Sequence, residues 1–152
     1  VLFVADAPGR LEDELGVPFV GEPGRLLGKM IHAMGLSRGE VYLTYLAKCS
    51  PGRADLEPAS LAACRPFFDA QLAAVRPDAI VALGEGAAHA LGADGPLARV
   101  RGQWLEYGER PVMPTFHPKA LLQHPRTKRE VWTDLKKVMR RLGLEAPPPR
   151  RG

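Results

Sequence analysis

The sequence predicts an α/β fold: a three-layer α/β/α sandwich around a short, mostly parallel sheet of four strands. Two observations carry that prediction. Four short apolar runs punctuate the chain, and helical patterns of apolar residues lie between and after them. Strands alternating with helices imply crossover connections and a mainly parallel sheet. The run AIVAL, residues 79–83, is apolar on both faces, as a strand covered on both sides must be.

The elements follow in order. The first strand is expected at Leu2–Ala5. In Gly24–Met34, the residues Leu26, Leu27, Met30, Ile31 and Met34 cluster towards one face, which predicts a helix. The second strand is expected at Val41–Ala47. Pro58–Val75 predicts the next helix: Pro58 suits a first turn, where its missing N–H costs nothing, and Arg76-Pro77 ends it. Ala79–Leu83 is the third strand, Gly86–Leu91 a short Ala-rich helix, and Pro111–Phe116 the fourth strand. Arg126–Leu142 sets Val131, Leu135, Val138, Met139 and Leu142 at helical spacing, with Gly143 as its stop. One domain is expected over residues 1–143, followed by a disordered Pro/Arg-rich tail over 144–152.

Composition narrows the class. The chain is 45% hydrophobic and 25% charged, the balance of a globular domain. No apolar run approaches the roughly 20 residues that span a membrane, and no secretory signal is visible. A cytoplasmic protein is expected. The first residue is Val1, already inside a strand-like run, so a fragment of a longer protein is expected. Residues 1–116 hold 11 Lys/Arg and 14 Asp/Glu, whereas residues 117–152 hold 10 Lys/Arg and 3 Asp/Glu. A basic segment on a slightly acidic body points to a polyanion, nucleic acid first; a solvated basic helix is the plainer alternative.

In parallel sheets, ligands bind beyond the carboxyl ends of the strands. The chemistry-bearing residues of this chain fall there. VADAPGRLEDELGVPFVG, residues 4–21, sets Asp6, Glu12 and the lone aromatic Phe19 on a Gly/Pro loop after the first strand. PTFHPKALLQHPRTKREVW, residues 114–132, sets His117 after the fourth strand, before Pro118. A histidine there can stabilise a developing anion. Behind it lie Lys119, Leu121, Leu122, Arg126 and Lys128, the mixture that grips phosphates and pushes a wedge between bases. A helix start that buries both leucines would serve as well.

These blocks, with VYLTYLAKCSPG and ACRPFFDAQL between them, resemble uracil-DNA glycosylase family 4, the iron-sulfur branch of its superfamily. The resemblance runs from residue 1 to about 142, in the family's order. It implies a uracil-DNA glycosylase-like fold and a DNA-repair hydrolase. Such an enzyme cleaves the N-glycosidic bond of uracil in single- or double-stranded DNA and leaves an abasic site. The base must leave the stack first. By resemblance Asp6, Ala7 and Pro8 line the pocket, and Asp6 and Glu12 orient water and steady positive charge on the sugar. Phe19 stacks on the base, and His117 bonds uracil O2. Lys119, Leu121, Leu122, Arg126 and Lys128 meet the DNA. Cys49 and Cys64 match the later pair of four cysteines that hold a 4Fe-4S cluster. The first pair has no counterpart in the sequence, so the cluster is expected in a parent protein and cannot be completed by this chain alone. A monomer is expected, because DNA must reach the open strand ends.

Two departures from the family stand out. Ala5-Asp6 replaces Gly-Glu, which draws the carboxylate back by one methylene. Thr44-Tyr45 replaces Thr-Asn, and an Asn offers the donor and acceptor that match the O4 and N3–H edge of uracil. Tyr45 has one hydroxyl and a ring that can fill the pocket. The alternatives are therefore a non-catalytic or altered-specificity nucleic-acid-binding member of the superfamily, or an α/β domain for another small ligand.

Overall fold

Period-two alternation divides the apolar side chains of each strand between two faces, and that division builds the three layers. The computed structural model describes residues 1–6, 19, 21–46 and 58–147, without the side chains of residues 58–64. Five strands form one sheet: β1 (Leu2–Ala5), β2 (Tyr42–Tyr45), β3 (Ile80–Leu83), β4 (Leu105–Tyr107) and β5 (Arg110–Thr115), in the order β2-β1-β3-β5-β4. The first four in that order are parallel; β4 runs antiparallel to β5. Register is set by Leu2 opposite both Tyr42 and Ile80, and by Ile80 opposite Val112.

The helices are α1 (Gly21–Ala33), α2 (Pro58–Val75), α3 (Glu85–Ala90), α4 (Leu97–Val100), α5 (Pro118–Gln123) and α6 (Lys128–Leu142). Phe3, Ala5, Val81, Leu83 and Met113 face Leu27, Met30 and Ile31 of α1 and Leu135 and Val138 of α6. Leu2, Val4, Ile80, Ala82 and Val112 face Phe68 and Leu72 of α2 and Ala87 of α3. The α/β/α sandwich expected from the sequence is therefore present, with one strand more than expected. The additional strand, β4, has only three residues and lies at the edge. A two-residue turn joins it to β5, with Gly108 at φ 62°, the positive φ a tight hairpin needs.

Helix α6 ends as the sequence predicts, with Gly143 in the left-handed conformation and Leu144 N–H donating to Met139 O at 2.9 Å. Past Gly143, Leu144 packs against the core and the Glu145 carbonyl lies against Gly35. The end of the expected tail, residues 148–152, lies outside the described residues. No helix among the described residues is long and apolar enough to cross a membrane.

The topology marks where a ligand would sit. The helix after β1 covers one face of the sheet and the helix after β3 covers the other. The carboxyl ends of β1 and β3 lie side by side at this switch of direction, the place where open α/β sheets hold their ligand crevice.

Candidate active site

Four strand ends contribute to this crevice. Asp6 follows β1, Tyr45 ends β2, Gly84 follows β3, and His117 lies two residues past β5. Their convergence follows from parallel pairing.

Asp6 lies over the start of α3. A Cβ on Gly86 would fall 2.6 Å from its Oδ2 and 3.1 Å from its Cβ, so a glycine there makes room for the carboxylate. Gly84 holds φ 94°, ψ 168°, a conformation essentially confined to glycine, while its N–H donates to Thr115 O at 2.9 Å. This turn brings the β3 end against the segment that carries His117.

His117 caps α5. Its Nδ1 accepts the Lys119 backbone N–H at 3.0 Å, and Pro118 occupies the first helical position. An accepting Nδ1 assigns the proton of a neutral ring to Nε2. The cap thus occupies Nδ1 and leaves Nε2–H as the donor the ring offers, suited to an oxygen that gains negative charge. Two residues upstream, buried Thr115 donates to Asp134 Oδ2 at 2.7 Å, and Arg101 donates to Oδ1 at 3.2 Å. Burial pushes the Asp134 carboxyl above the usual carboxylate range, against these hydrogen bonds and charges. The network pins the end of β5 to α6.

Phe19 sits across the crevice in a left-handed conformation, φ 54°, unusual for a residue with a side chain. Its carbonyl accepts from the Arg38 guanidinium, and its N–H donates to the Tyr45 hydroxyl at 2.9 Å. Gly24 of α1 packs on the same carbonyl with no room for a Cβ. The Phe19 and Tyr45 rings stack, 4.8 Å apart at 20°, and the His117 ring lies 6.2 Å from Phe19 at 29°. Phe19 is 1% exposed and Tyr45 8%.

The structure thus places Asp6, Tyr45 and His117 beyond the carboxyl ends of β1, β2 and β5, on one edge of the sheet, and Phe19 against the last two. Ala7, Pro8, Glu12 and Cys49, and the side chain of Cys64, lie outside the described residues. Of the basic segment, Lys119, Arg126 and Lys128 are exposed. Leu121 is a core residue, 2% exposed, and Leu122 presents 41% of its surface. Sequence reasoning missed Gly24, Gly86, Arg38 and the Thr115–Asp134–Arg101 network. The sequence pattern starts the helix at Gly24, whereas α1 begins at Gly21 and holds Gly24 inside the first turns, where a glycine calls for a packing reason.

A four-thiolate cluster does not fit the residues present: the chain holds two cysteines, Cys49 and Cys64. Among the described residues, no group of three or more His, Cys, Asp or Glu is placed to hold a metal ion.

Comparison with known proteins identifies the class. The family model described as "Uracil DNA glycosylase superfamily" matches residues 1–136. The chain is 36% identical over 157 residues to a type-4 uracil-DNA glycosylase of Archaeoglobus fulgidus, covering 97% of this chain and 79% of that protein. It is 36% identical over 149 residues to the type-4 uracil-DNA glycosylase of Saccharolobus solfataricus, covering 91% and 69%. To that of Thermotoga maritima it is 39% identical over 129 residues, covering 82% and 67%. The chain belongs to the uracil-DNA glycosylase superfamily.

Proposed function

We propose that this chain excises uracil from DNA, hydrolysing the N-glycosidic bond and leaving an abasic site. The observation that carries the reading is the convergence of Asp6, Phe19 and His117 on the crevice at the switch point, within this superfamily. Cleavage leaves negative charge on the departing base and positive charge on the sugar. The Nε2–H of His117 meets the first, on uracil O2. The carboxylate of Asp6, with Glu12 from the same loop, meets the second and orients the attacking water. Phe19 supplies the stacking surface that holds a base outside the helix, worth roughly 1–3 kcal/mol in other base-binding proteins.

DNA lies along the basic segment after His117. Lys119, Arg126 and Lys128 neutralise phosphates, and exposed Leu122 is the side chain able to enter the base stack. A single copy suffices, and a DNA substrate places the enzyme in the cytoplasm. Cys49 and Cys64 would supply two thiolates to a 4Fe-4S cluster; two more would have to come from elsewhere, and the reaction above does not use one.

The test incubates the full-length protein with an end-labelled oligonucleotide bearing one uracil, then alkali, which breaks the strand at abasic sites. Breakage by the wild type that falls about 100-fold or more in His117→Ala is the expected result. Equal breakage in both would remove His117 from the reaction, and none in the wild type would defeat the reading.

A further inference from the structure

We infer that Tyr45 is an internal stand-in for the flipped base: it occupies the stacking surface of Phe19 and must withdraw before a base can take that place. The inference rests on the reading of this crevice as a base pocket and names a specificity-determining residue within it. The Tyr45 ring lies 4.8 Å from the Phe19 ring at 20°, the near-parallel geometry of a stacked base. Its hydroxyl oxygen accepts the Phe19 N–H at 2.9 Å, a role open to a base carbonyl oxygen. With Phe19 only 1% exposed, no face of its ring is open to another stacking partner while Tyr45 stays.

Tyr45 therefore supplies, from within the chain, both a π surface and an acceptor for this pocket. Rotation about its Cα–Cβ bond releases the two together. Each base competes with Tyr45 before it meets Asp6 or His117, so the tyrosine weakens binding of all bases and filters out those that stack or accept poorly. The ring stack and the hydrogen bond each correspond to about 2- to 12-fold in affinity.

The test uses the full-length protein and free uracil. Wild-type protein carrying 3-fluorotyrosine is followed by fluorine NMR, with Tyr42, 38% exposed, as the accessible reference. The H2O/D2O solvent-isotope shift reports exposure of each tyrosine. A shielded Tyr45 that becomes as exposed as Tyr42 when uracil binds is the expected result. Tyr45 that stays shielded, or becomes more so, overturns the inference, because a residue merely lining the pocket would behave that way. In parallel, uracil should bind about 10-fold tighter to Tyr45→Ala and to Tyr45→Asn, with Tyr45→Phe between them and the wild type. Equal or weaker binding by the folded variants, or no binding by any of them, overturns it as well. Excision assays on the same proteins keep the two readings apart. Tighter uracil binding without excision by any variant retains the stand-in and removes the glycosylase; excision by the wild type with no gain in uracil affinity does the reverse.

Discussion

Replacing Gly24 by alanine tests how Phe19 is held. The added Cβ would land on the Phe19 carbonyl carbon and oxygen, nearer than real Cβ contacts come, and 3.5 Å from its Cα. The obstacle is backbone, so either α1 or the Phe19 peptide must retreat by roughly an ångström. Alanine in a helix interior gains about 0.5–1 kcal/mol over glycine, whereas overpacking costs about 1–3 kcal/mol, so a net loss of up to about 2.5 kcal/mol is expected. Displacement of the stacking surface by that distance corresponds to about 100-fold in rate. Gly28 supplies the control: it lies on the same helix, and a Cβ there would meet nothing within 4 Å. Gly28→Ala should gain stability and leave excision unchanged. Urea unfolding and single-turnover excision on both variants decide the matter. A Gly24→Ala protein as stable and as fast as Gly28→Ala would refute the idea that Gly24 seats Phe19.

Three further outcomes follow from the geometry. Gly86→Ala should displace the Asp6 carboxylate, 2.6 Å from the new Cβ; the far end of a side chain yields cheaply, so unfolding should change little while single-turnover excision falls about 10-fold or more. Leu121→Ala, in the core, should cost about 2–5 kcal/mol in urea unfolding; Leu122→Ala, on the surface, should cost under about 0.5 kcal/mol yet slow excision from duplex DNA, and equal stability losses would refute the assignment. Asp134 binds its proton more readily folded than unfolded, so its contribution to stability is present in acid and is lost as pH rises through the raised value. Wild-type stability relative to Asp134→Asn should therefore increase as pH falls from neutral towards the ordinary Asp range, and a constant difference in urea unfolding across that range would refute the account.

Strand positions were legible because the signal is local. Leu2–Ala5 and Ile80–Leu83 are wholly buried, and burial on both faces writes itself as an unbroken apolar run. β4 escaped because three edge residues, Leu105, Glu106 and Tyr107, leave no such run. The candidate residues were legible as chemistry placed at strand ends, and the structure puts Asp6, Phe19, Tyr45 and His117 around one crevice. Their supports were not legible, because each acts across the fold. Arg38 reaches Phe19 over 19 positions, Tyr45 over 26, and Asp134 reaches Thr115 over 19. A contact formed by tertiary packing has no period in the chain. Leu121 and Leu122, adjacent and identical, are told apart only by which one the α1–α6 side of the core covers.

The left-handed Phe19 connects this packing to discrimination between bases. Its φ of 54° costs a side-chain-bearing residue about 1–2 kcal/mol, and such strain persists only where the surroundings over-determine it. Here the Arg38 guanidinium and Gly24 fix the carbonyl side, and neither need move when a base arrives. The N–H side is held by Tyr45. When Tyr45 withdraws, the buried N–H loses that acceptor as the ring loses its stack. A base that presents a keto oxygen restores both. One that presents an amino group leaves a buried donor unsatisfied, at a cost of about 1–3 kcal/mol, or roughly 5- to 150-fold in affinity. A tyrosine in place of an asparagine thus need not abolish base reading. On the proposed reading, part of it would pass to the backbone N–H of Phe19, and uracil and cytosine would be separated by which partner can replace the tyrosine hydroxyl.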